Sequence, residues 1–94
     1  MLVLEVSAPV GEYRPGDTVW LKKTNAWAAK DKDFLAAMNR DCLVPRPGDR
    51  LAFGRLIDRN GPMVAILPAQ PGQKQLVIDN PEWIAVVSML VRPL

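Results

Sequence analysis

The chain has 94 residues, of which 49% are apolar and 23% charged, and its formal net charge is +2. This length leaves room for one core only, so we expect a single domain over residues 1–94. The composition is that of a globular protein and argues against a disordered chain. The small net charge gives weak general attraction to polyanions. Nine prolines fall between the apolar runs, which favours short strands over long helices.

The side chains that carry most enzyme chemistry are scarce. The sequence has no histidine and one cysteine, Cys42, so no cysteine–histidine pair and no intrachain disulfide can form. Carboxylates stand singly at turns, where such residues have structural roles. No cluster of His, Cys, Asp or Glu suggests a metal site. We expect a non-enzymatic protein with no catalytic residue, no metal and no cofactor.

No segment indicates export or a membrane span. The run Met1–Val6 lacks a basic region and contains Glu5, unlike a secretory signal. The longest apolar run, Trp83–Val91, is too short for a transmembrane helix. We therefore expect a cytoplasmic protein with no membrane partner.

Alternating apolar residues predict two strands at the start of the chain. Leu2, Leu4 and Val6 share one face of the first strand. A loop rich in proline and glycine covers residues 8–17. The second strand is predicted over Thr18–Lys22.

One amphipathic helix is predicted over residues 26–41. Thr24 or Asn25 can cap its first turn, and Pro45 and Pro47 prevent its continuation. Its apolar face consists of residues at helical spacing, namely Trp27, Phe34, Leu35, Met38 and Cys42. In that position Cys42 is expected to be a small buried hydrophobe.

The clearest pattern is a hairpin over residues 46–67, where two apolar runs flank a turn. Ala52 and Gly54 make one face of its first strand thin, so that a backbone or a bulge can come close. The residues on the other face are Leu51, Phe53 and Ile57, interrupted by Arg55.

The turn of this hairpin is predicted over residues 58–61. Asn60-Gly61 alone is typical of a two-residue turn. Pro62 argues against it, because the next residue must donate a backbone N–H that proline lacks. Pro62 should also make the start of its strand an edge or a bulge.

Two further strands are predicted in the last third of the chain. One covers Gln75–Asp79. The other covers Trp83–Val91, which is apolar almost throughout and rich in β-branched residues, as in a strand buried on both faces. Packing is the favoured role of Trp83.

The four-residue sequence Arg-Pro-Gly-Asp occurs twice, at residues 14–17 and 46–49. Proline sets its own φ and glycine supplies a positive φ, so both copies are expected to form type II turns into strands. Four residues do not decide between a shared turn device and a duplicated fold.

These elements predict a mainly β fold, a small SH3-like barrel of about six short strands with one inserted helix. Tyr13–Lys22 resembles the opening of the barrel in the C-terminal domains of retroelement integrases. Val87–Leu94 is similar to the segment that closes it. The resemblance implies binding to nucleic acid and to partner proteins. The helix between the second and third strands departs from that family's pattern.

Basic residues with an aromatic residue among them are typical of a nucleic-acid-binding site, in which the basic side chains contact phosphates and the aromatic ring stacks on a base. The candidates for binding DNA or RNA are Lys22, Lys23, Trp27, Lys30, Arg55 and Arg59. Alternatively, Trp27 anchors the helix and the lysines form a solvated rim, since Asp31 and Asp33 dilute the charge. The two arginines can equally protect a strand edge from pairing.

The sequence leaves two functions open. The first is weak nucleic-acid binding by an accessory or regulatory protein of a bacterium, a phage or another mobile element. The alternative is a protein-interaction module or inhibitor that forms a homo-oligomer or docks on a host protein. Its support is the high apolar content, the three tryptophans and the predicted edge, with Trp20 and Pro62 as candidate interface residues.

Overall fold

A computed structural model of the chain describes residues 2–24, 37–60, 62–70 and 72–93. This part contains seven strands. They are β1 (Leu2–Glu5), β2 (Thr18–Thr24), β3 (Asp41–Arg46), β4 (Arg50–Asn60), β5 (Met63–Pro68), β6 (Leu76–Asp79) and β7 (Ile84–Val91). All pairings are antiparallel. The strands form one sheet in the order β1-β2-β7-β3-β4-β5-β6, so β1 and β6 are its edges.

The expectation of a mainly β fold is confirmed. Six predicted strands correspond to β1, β2, β4, β5, β6 and β7. Alternating apolar residues, continuous apolar runs and the turn residues between them located these strands, because each strand has at least one face turned towards apolar neighbours.

The predicted helix over residues 26–41 falls mostly on residues 25–36, outside the described part of the chain. Its predicted end is wrong. The N–H of Arg40 donates to the carbonyl of Ala37 at 3.1 Å in a turn, and Asp41 begins β3. Cys42 therefore lies in a strand and not on a helix face, although it is buried as expected.

Strand β3 contains Pro45, which sequence reasoning took as a helix stop. Leu56 donates its N–H to the carbonyl of Arg40 and accepts from the N–H of Asn39. Because backbone groups alternate in direction along a strand, the even-numbered residues of β4 up to Leu56 bond towards β3. Pro45 is opposite the odd-numbered Leu51, and its nitrogen points away from β4. On that side β7 pairs only with the first part of β3, so the absent N–H breaks no ladder bond.

The expectation of one core is wrong, because the adjacent strands β7 and β3 carry an apolar core on each face of the sheet. Cys42 and Ile84 point into the first core, whereas their neighbours Leu43 and Ala85 point into the second. The first core is formed by Ala37, Cys42, Val44, Ala52, Leu56, Val64, Ile66, Ile78 and Ile84. The second is formed by Val19, Leu21, Leu43 and Ala85, with Leu2, Leu4, Val6, Tyr13, Phe53, Trp83 and Val87 packed against it.

The thin face of β4 is the one that packs into the first core. Ala52, Gly54 and Leu56 are buried, whereas Leu51 is 56% exposed. A Cβ atom on Gly54 would collide with the backbone carbonyl of Leu67 in β5. The expected close approach of a backbone at Gly54 is thus confirmed.

The predicted turn over residues 58–61 is wrong, because β4 continues to Asn60 and Asn60 pairs with Met63. Pro62 is in the connection before β5, where its carbonyl accepts the N–H of Asn80 at 2.9 Å. Strand β5 lies between β4 and β6, so Pro62 does not begin an edge strand. The irregularity in this hairpin is instead a bulge in β4 between Leu56 and Asp58.

The two Arg-Pro-Gly-Asp segments have the predicted positive φ at Gly16 and Gly48 (93° and 80°) but differ otherwise. In the first, the N–H of Asp17 closes a turn onto Arg14 at 3.0 Å, and Asp17 is buried. In the second, the segment connects β3 to β4, and Asp49 is exposed at φ 57°. The shared letters therefore give similar local bends in different surroundings.

Candidate functional site

The two lysines of β2 point to opposite faces of the sheet, because they are adjacent in a strand. Lys22 lies on the same face as Trp20. Lys23 lies on the other face, where its Nζ is 4.8 Å from the ring centroid of Trp83. Trp83 itself packs against the second core, which confirms its expected packing role.

The two arginines of β4 also point to opposite faces. Residues four apart in a regular strand share a face, but the bulge between Leu56 and Asp58 adds one residue. Arg55 is exposed opposite Leu67, which is exposed too. Arg59 is half-buried opposite Val64, which is buried.

Trp27 and Lys30, the other two candidates for nucleic-acid binding, lie outside the described residues. Each of the described basic pairs is split between two faces. A nucleic-acid surface made of the six residues therefore stays a prediction.

Trp20 lies at the centre of an exposed apolar row that crosses three strands. Val3 of β1 is its partner on one side and Met89 of β7 on the other. Val3 is 48% exposed and Met89 is 50% exposed. Cross-strand partners present their side chains on the same face, so the three side chains are adjacent and accessible to solvent.

The next row along the same face consists of Glu5, Thr18 and Val91. Lys22 follows Trp20 on this face in the other direction. The apolar centre thus has polar and charged residues beside it, which is the usual arrangement of a protein interface. We call the apolar set Val3, Trp20, Met89 and Val91 the outer face.

A bulge in β7 assembles the outer face. Leu21 pairs with Val87, but Trp20 pairs with Met89, so Ser88 is the extra residue. Its Oγ donates to the carbonyl of Trp20 at 3.1 Å. Without the bulge, Met89 would move to the opposite face of the sheet. Sequence reasoning named Trp20 but missed its neighbours Val3 and Met89, and the polar Ser88 within an apolar run is the signal of the bulge that brings Met89 there.

Next to the outer face, β1 forms an edge of the sheet. Val6 donates its N–H to Asp17 (2.9 Å) and accepts from the N–H of Gly16 (2.8 Å), so its polar groups point towards β2. Because bonding alternates along an antiparallel pair, those of Leu4 do the same, and those of Val3 and Glu5 point outward. In the described part of the chain, β1 pairs with β2 alone.

An apolar groove of about 260 Å³ lies on the other face of β1. Leu4 and Val6 form one wall. Tyr13 and Phe53 form another, with their rings edge to face at a centroid distance of 5.4 Å and an angle of 71°. The groove therefore adjoins both the second core and the open edge.

Tyr13 is held in place by a hydrogen bond from its hydroxyl to Oδ2 of Asp41, at 2.5 Å. Burial, the hydrogen bond to Asp41 and the negative charge of that carboxylate together raise the pKa of Tyr13 well above its ordinary value. The phenol stays protonated as a donor, so this contact orients the ring and does not supply a reactive group.

A larger cleft of about 560 Å³ separates the β3–β4 turn from the β6–β7 connection. Arg46 and Arg50 face each other across the first of these turns. Asp79 and Glu82 line the opposite wall. The cleft is therefore lined by charges of both signs.

The two predicted interface residues have different surroundings. Trp20 is half-buried within the outer face, whereas Pro62 is exposed in the β4–β5 connection. They belong to different parts of the sheet order, since Trp20 is in β2 next to the edge strand β1, whereas Pro62 comes just before β5, next to the other edge strand.

No protein-family model matches the sequence, and no curated protein matches it significantly. The resemblance to integrase C-terminal domains thus stays a prediction. Within residues 2–24, 37–60, 62–70 and 72–93, no helix is long and apolar enough to cross a membrane. In the same ranges no group of three or more His, Cys, Asp or Glu side chains is placed to hold a metal ion.

Proposed function

We propose that this protein is a protein-interaction module that binds its partner through the outer face. The observation that carries this proposal is the row of Val3, Trp20 and Met89, an exposed apolar surface continuous over β1, β2 and β7. Contiguous apolar surface of this kind, with polar residues beside it, marks sites of protein association.

Trp20 is the expected energetic centre of the interface. Tryptophan is enriched among the residues that dominate binding energy, and such residues lie in the middle of an interface with less important contacts around them. Trp20 has an apolar neighbour on each side, and the exposed Lys22 and Glu5 lie towards the ends. A partner that covers Trp20 must displace water from both of its apolar neighbours as well.

The proposal also includes two features of the fold, a closed barrel and a helix. We infer that β3 to β7 close into an SH3-like barrel and that the predicted helix forms but ends before the turn that joins Ala37 to Arg40. All five strands contribute side chains to the first core, which supports the barrel. The amphipathic spacing of its apolar residues supports the helix.

Affinity capture from a lysate of the source organism, quantified by mass spectrometry, tests the interaction. The bait proteins are the natural chain, the variant Met89→Glu on the outer face and the control Val77→Glu. Val77 is 60% exposed, but on β6 at the other edge of the sheet. We expect partners to be retained by the natural chain and the control and lost at least about tenfold by Met89→Glu.

Three equal capture profiles would contradict the proposal. A parallel capture from nuclease-treated lysate distinguishes the proposed function from nucleic-acid binding. Capture that disappears after nuclease treatment, together with an affinity for a DNA oligonucleotide that falls steeply with salt, would favour the basic residues instead.

A further inference from the structure

We propose that the open edge of β1 accepts an extended peptide as an eighth strand, and that this peptide reads basic–apolar–apolar. The inference rests on the proposed interaction function and specifies its partner. Strand addition to a sheet edge takes its affinity from main-chain hydrogen bonds and its specificity from pockets for alternate side chains. The β1 edge has both elements.

The main-chain groups available to the peptide are those of Val3 and Glu5. The backbone N–H and C=O of Val6 bond to Asp17 and Gly16 on the β2 side. Because these groups alternate in direction along the strand, the N–H and C=O of Val3 and Glu5 point away from β2. The carbonyl of Trp20 provides an independent check. It accepts from Ser88 of β7, so Trp20 bonds away from β1, as this alternation requires.

The groove supplies the pocket. A peptide residue opposite Leu4 points its side chain to the same face as Leu4, and that face opens into the groove between Val6, Tyr13 and Phe53. The groove is lined mainly by apolar side chains. This position of the peptide should therefore be a large aliphatic or aromatic residue.

The two flanking peptide residues point to the outer face. The one opposite Val3 extends the row of Val3, Trp20 and Met89 and should be apolar. The one opposite Glu5 lies beside an exposed carboxylate and should be Lys or Arg. In an antiparallel peptide the N-terminal residue of the three lies opposite Glu5 and the C-terminal one lies opposite Val3. From N to C terminus the order is therefore basic–apolar–apolar.

Charge argues against a second copy of this chain as the occupant. Strand β1 reads Leu-Val-Leu-Glu and contains no basic residue. Pairing of two β1 strands about a two-fold axis leaves each Glu5 without a cation, and one register sets the two carboxylates against each other. Such pairings are less stable than one with a basic peptide.

Fluorescence anisotropy with two labelled, blocked peptides tests the proposal. The peptides have the core Lys-Leu-Val or Glu-Leu-Val between threonines. We expect the Lys peptide to bind the natural chain about fivefold more tightly, the ratio that one favourable charge pair replacing one like-charge pair gives. The variant Glu5→Lys should reverse the preference, and the control Glu82→Lys should not, since Glu82 lies in the cleft.

A backbone variant tests strand addition itself. Val3→Pro removes one outward N–H and leaves the bonds between β1 and β2 in place, whereas the control Val3→Ala shortens the side chain and keeps the N–H. Both peptides should bind Val3→Pro about tenfold more weakly than Val3→Ala. Equal affinity of the two peptides, no binding up to millimolar concentration, or a peptide-free dimer that Val3→Pro dissociates would overturn the proposal. If lysate capture is weakened by Met89→Glu and by Val3→Ala, but no further by Val3→Pro and not by Glu5→Lys, the proposed function holds and strand addition fails.

Discussion

Asp17 and Arg92 are 75 positions apart in the sequence and form a close ion pair. Asp17 is 1% exposed, and Nη2 of Arg92 lies 3.0 Å from its Oδ2. Nε of Arg92 donates to Oδ1 at 3.1 Å, and the N–H of Arg14 donates to Oδ2 at 2.9 Å. The carboxylate therefore joins the loop before β2 to the end of β7, next to the outer face.

Asp17→Asn should lower the melting temperature, because the amide keeps the shape of the carboxylate but loses its charge and one acceptor. The matched control is Asp49→Asn, the same position of the second Arg-Pro-Gly-Asp segment. Asp49 is exposed, so its change should stay within about 0.5 kcal/mol. Thermal unfolding followed by circular dichroism at pH 7 measures both. Equal melting temperatures for the two variants would contradict a stabilising role of the pair.

Acidification should remove the same stabilisation. The hydrogen bonds from Arg92 and from the N–H of Arg14 hold the pKa of Asp17 below its ordinary value. A carboxyl with a depressed folded pKa contributes its full stabilisation above the unfolded pKa, about 3.9 for aspartate, and loses it as the pH falls towards the folded pKa. The gap in stability between the natural chain and Asp17→Asn should narrow progressively as the pH falls below about 4. A gap that is the same at pH 5 and at pH 2 in unfolding curves would show that it is not electrostatic.

Gly54→Ala adds a single methyl group and should strongly destabilise the folded protein. The new Cβ would collide with the carbonyl of Leu67, which is backbone and cannot rotate aside. We expect a loss of about 2 kcal/mol or more in urea unfolding. Gly48→Ala meets no atom within 4 Å and suffers only from its φ of 80°, a cost of roughly 1 kcal/mol. A smaller effect at Gly54 than at Gly48 would mean that β4 and β5 are further apart.

Leu56→Ala and Leu51→Ala compare the two faces of β4. Leu56 is fully buried in the first core, whereas Leu51 is 56% exposed. The first variant should lose about 2 to 5 kcal/mol of unfolding free energy, and the second less than about 0.5 kcal/mol. Similar losses at both positions would contradict the burial of the even-numbered face.

Cys42 should react slowly with thiol reagents in the folded protein. Burial and the nearby Asp41 carboxylate raise the pKa of its thiol to about 12, so almost none of the reactive thiolate exists at pH 8. Labelling with a chromogenic disulfide should be at least about a hundredfold slower in buffer than in guanidinium. Rapid labelling of the native protein at pH 8 would contradict the position of Cys42 in β3.

Alternation and turn residues alone predicted the fold class and most strands, and they predicted the positive φ of Gly16 and Gly48. These features depend on residues that are near neighbours in the sequence, so one sequence is enough to predict them. The absence of histidine likewise argued, from composition alone, against the commonest catalytic machinery. The burial of Cys42 was predicted from its place on the apolar stripe of a helix, and Cys42 is buried but in strand β3.

The tertiary structure decided which strands are adjacent and which faces are exposed. Strand β3 was missed because Pro45 forbids a ladder bond only where a partner strand lies on its nitrogen side, and β7 ends its pairing before that point. The bulge at Ser88 moves Met89 next to Trp20, and the bulge in β4 separates Arg55 from Arg59. A shift of one residue exchanges the two faces of a strand at little local energetic cost. Local sequence therefore cannot specify such a surface, which depends on contacts between residues far apart in the chain.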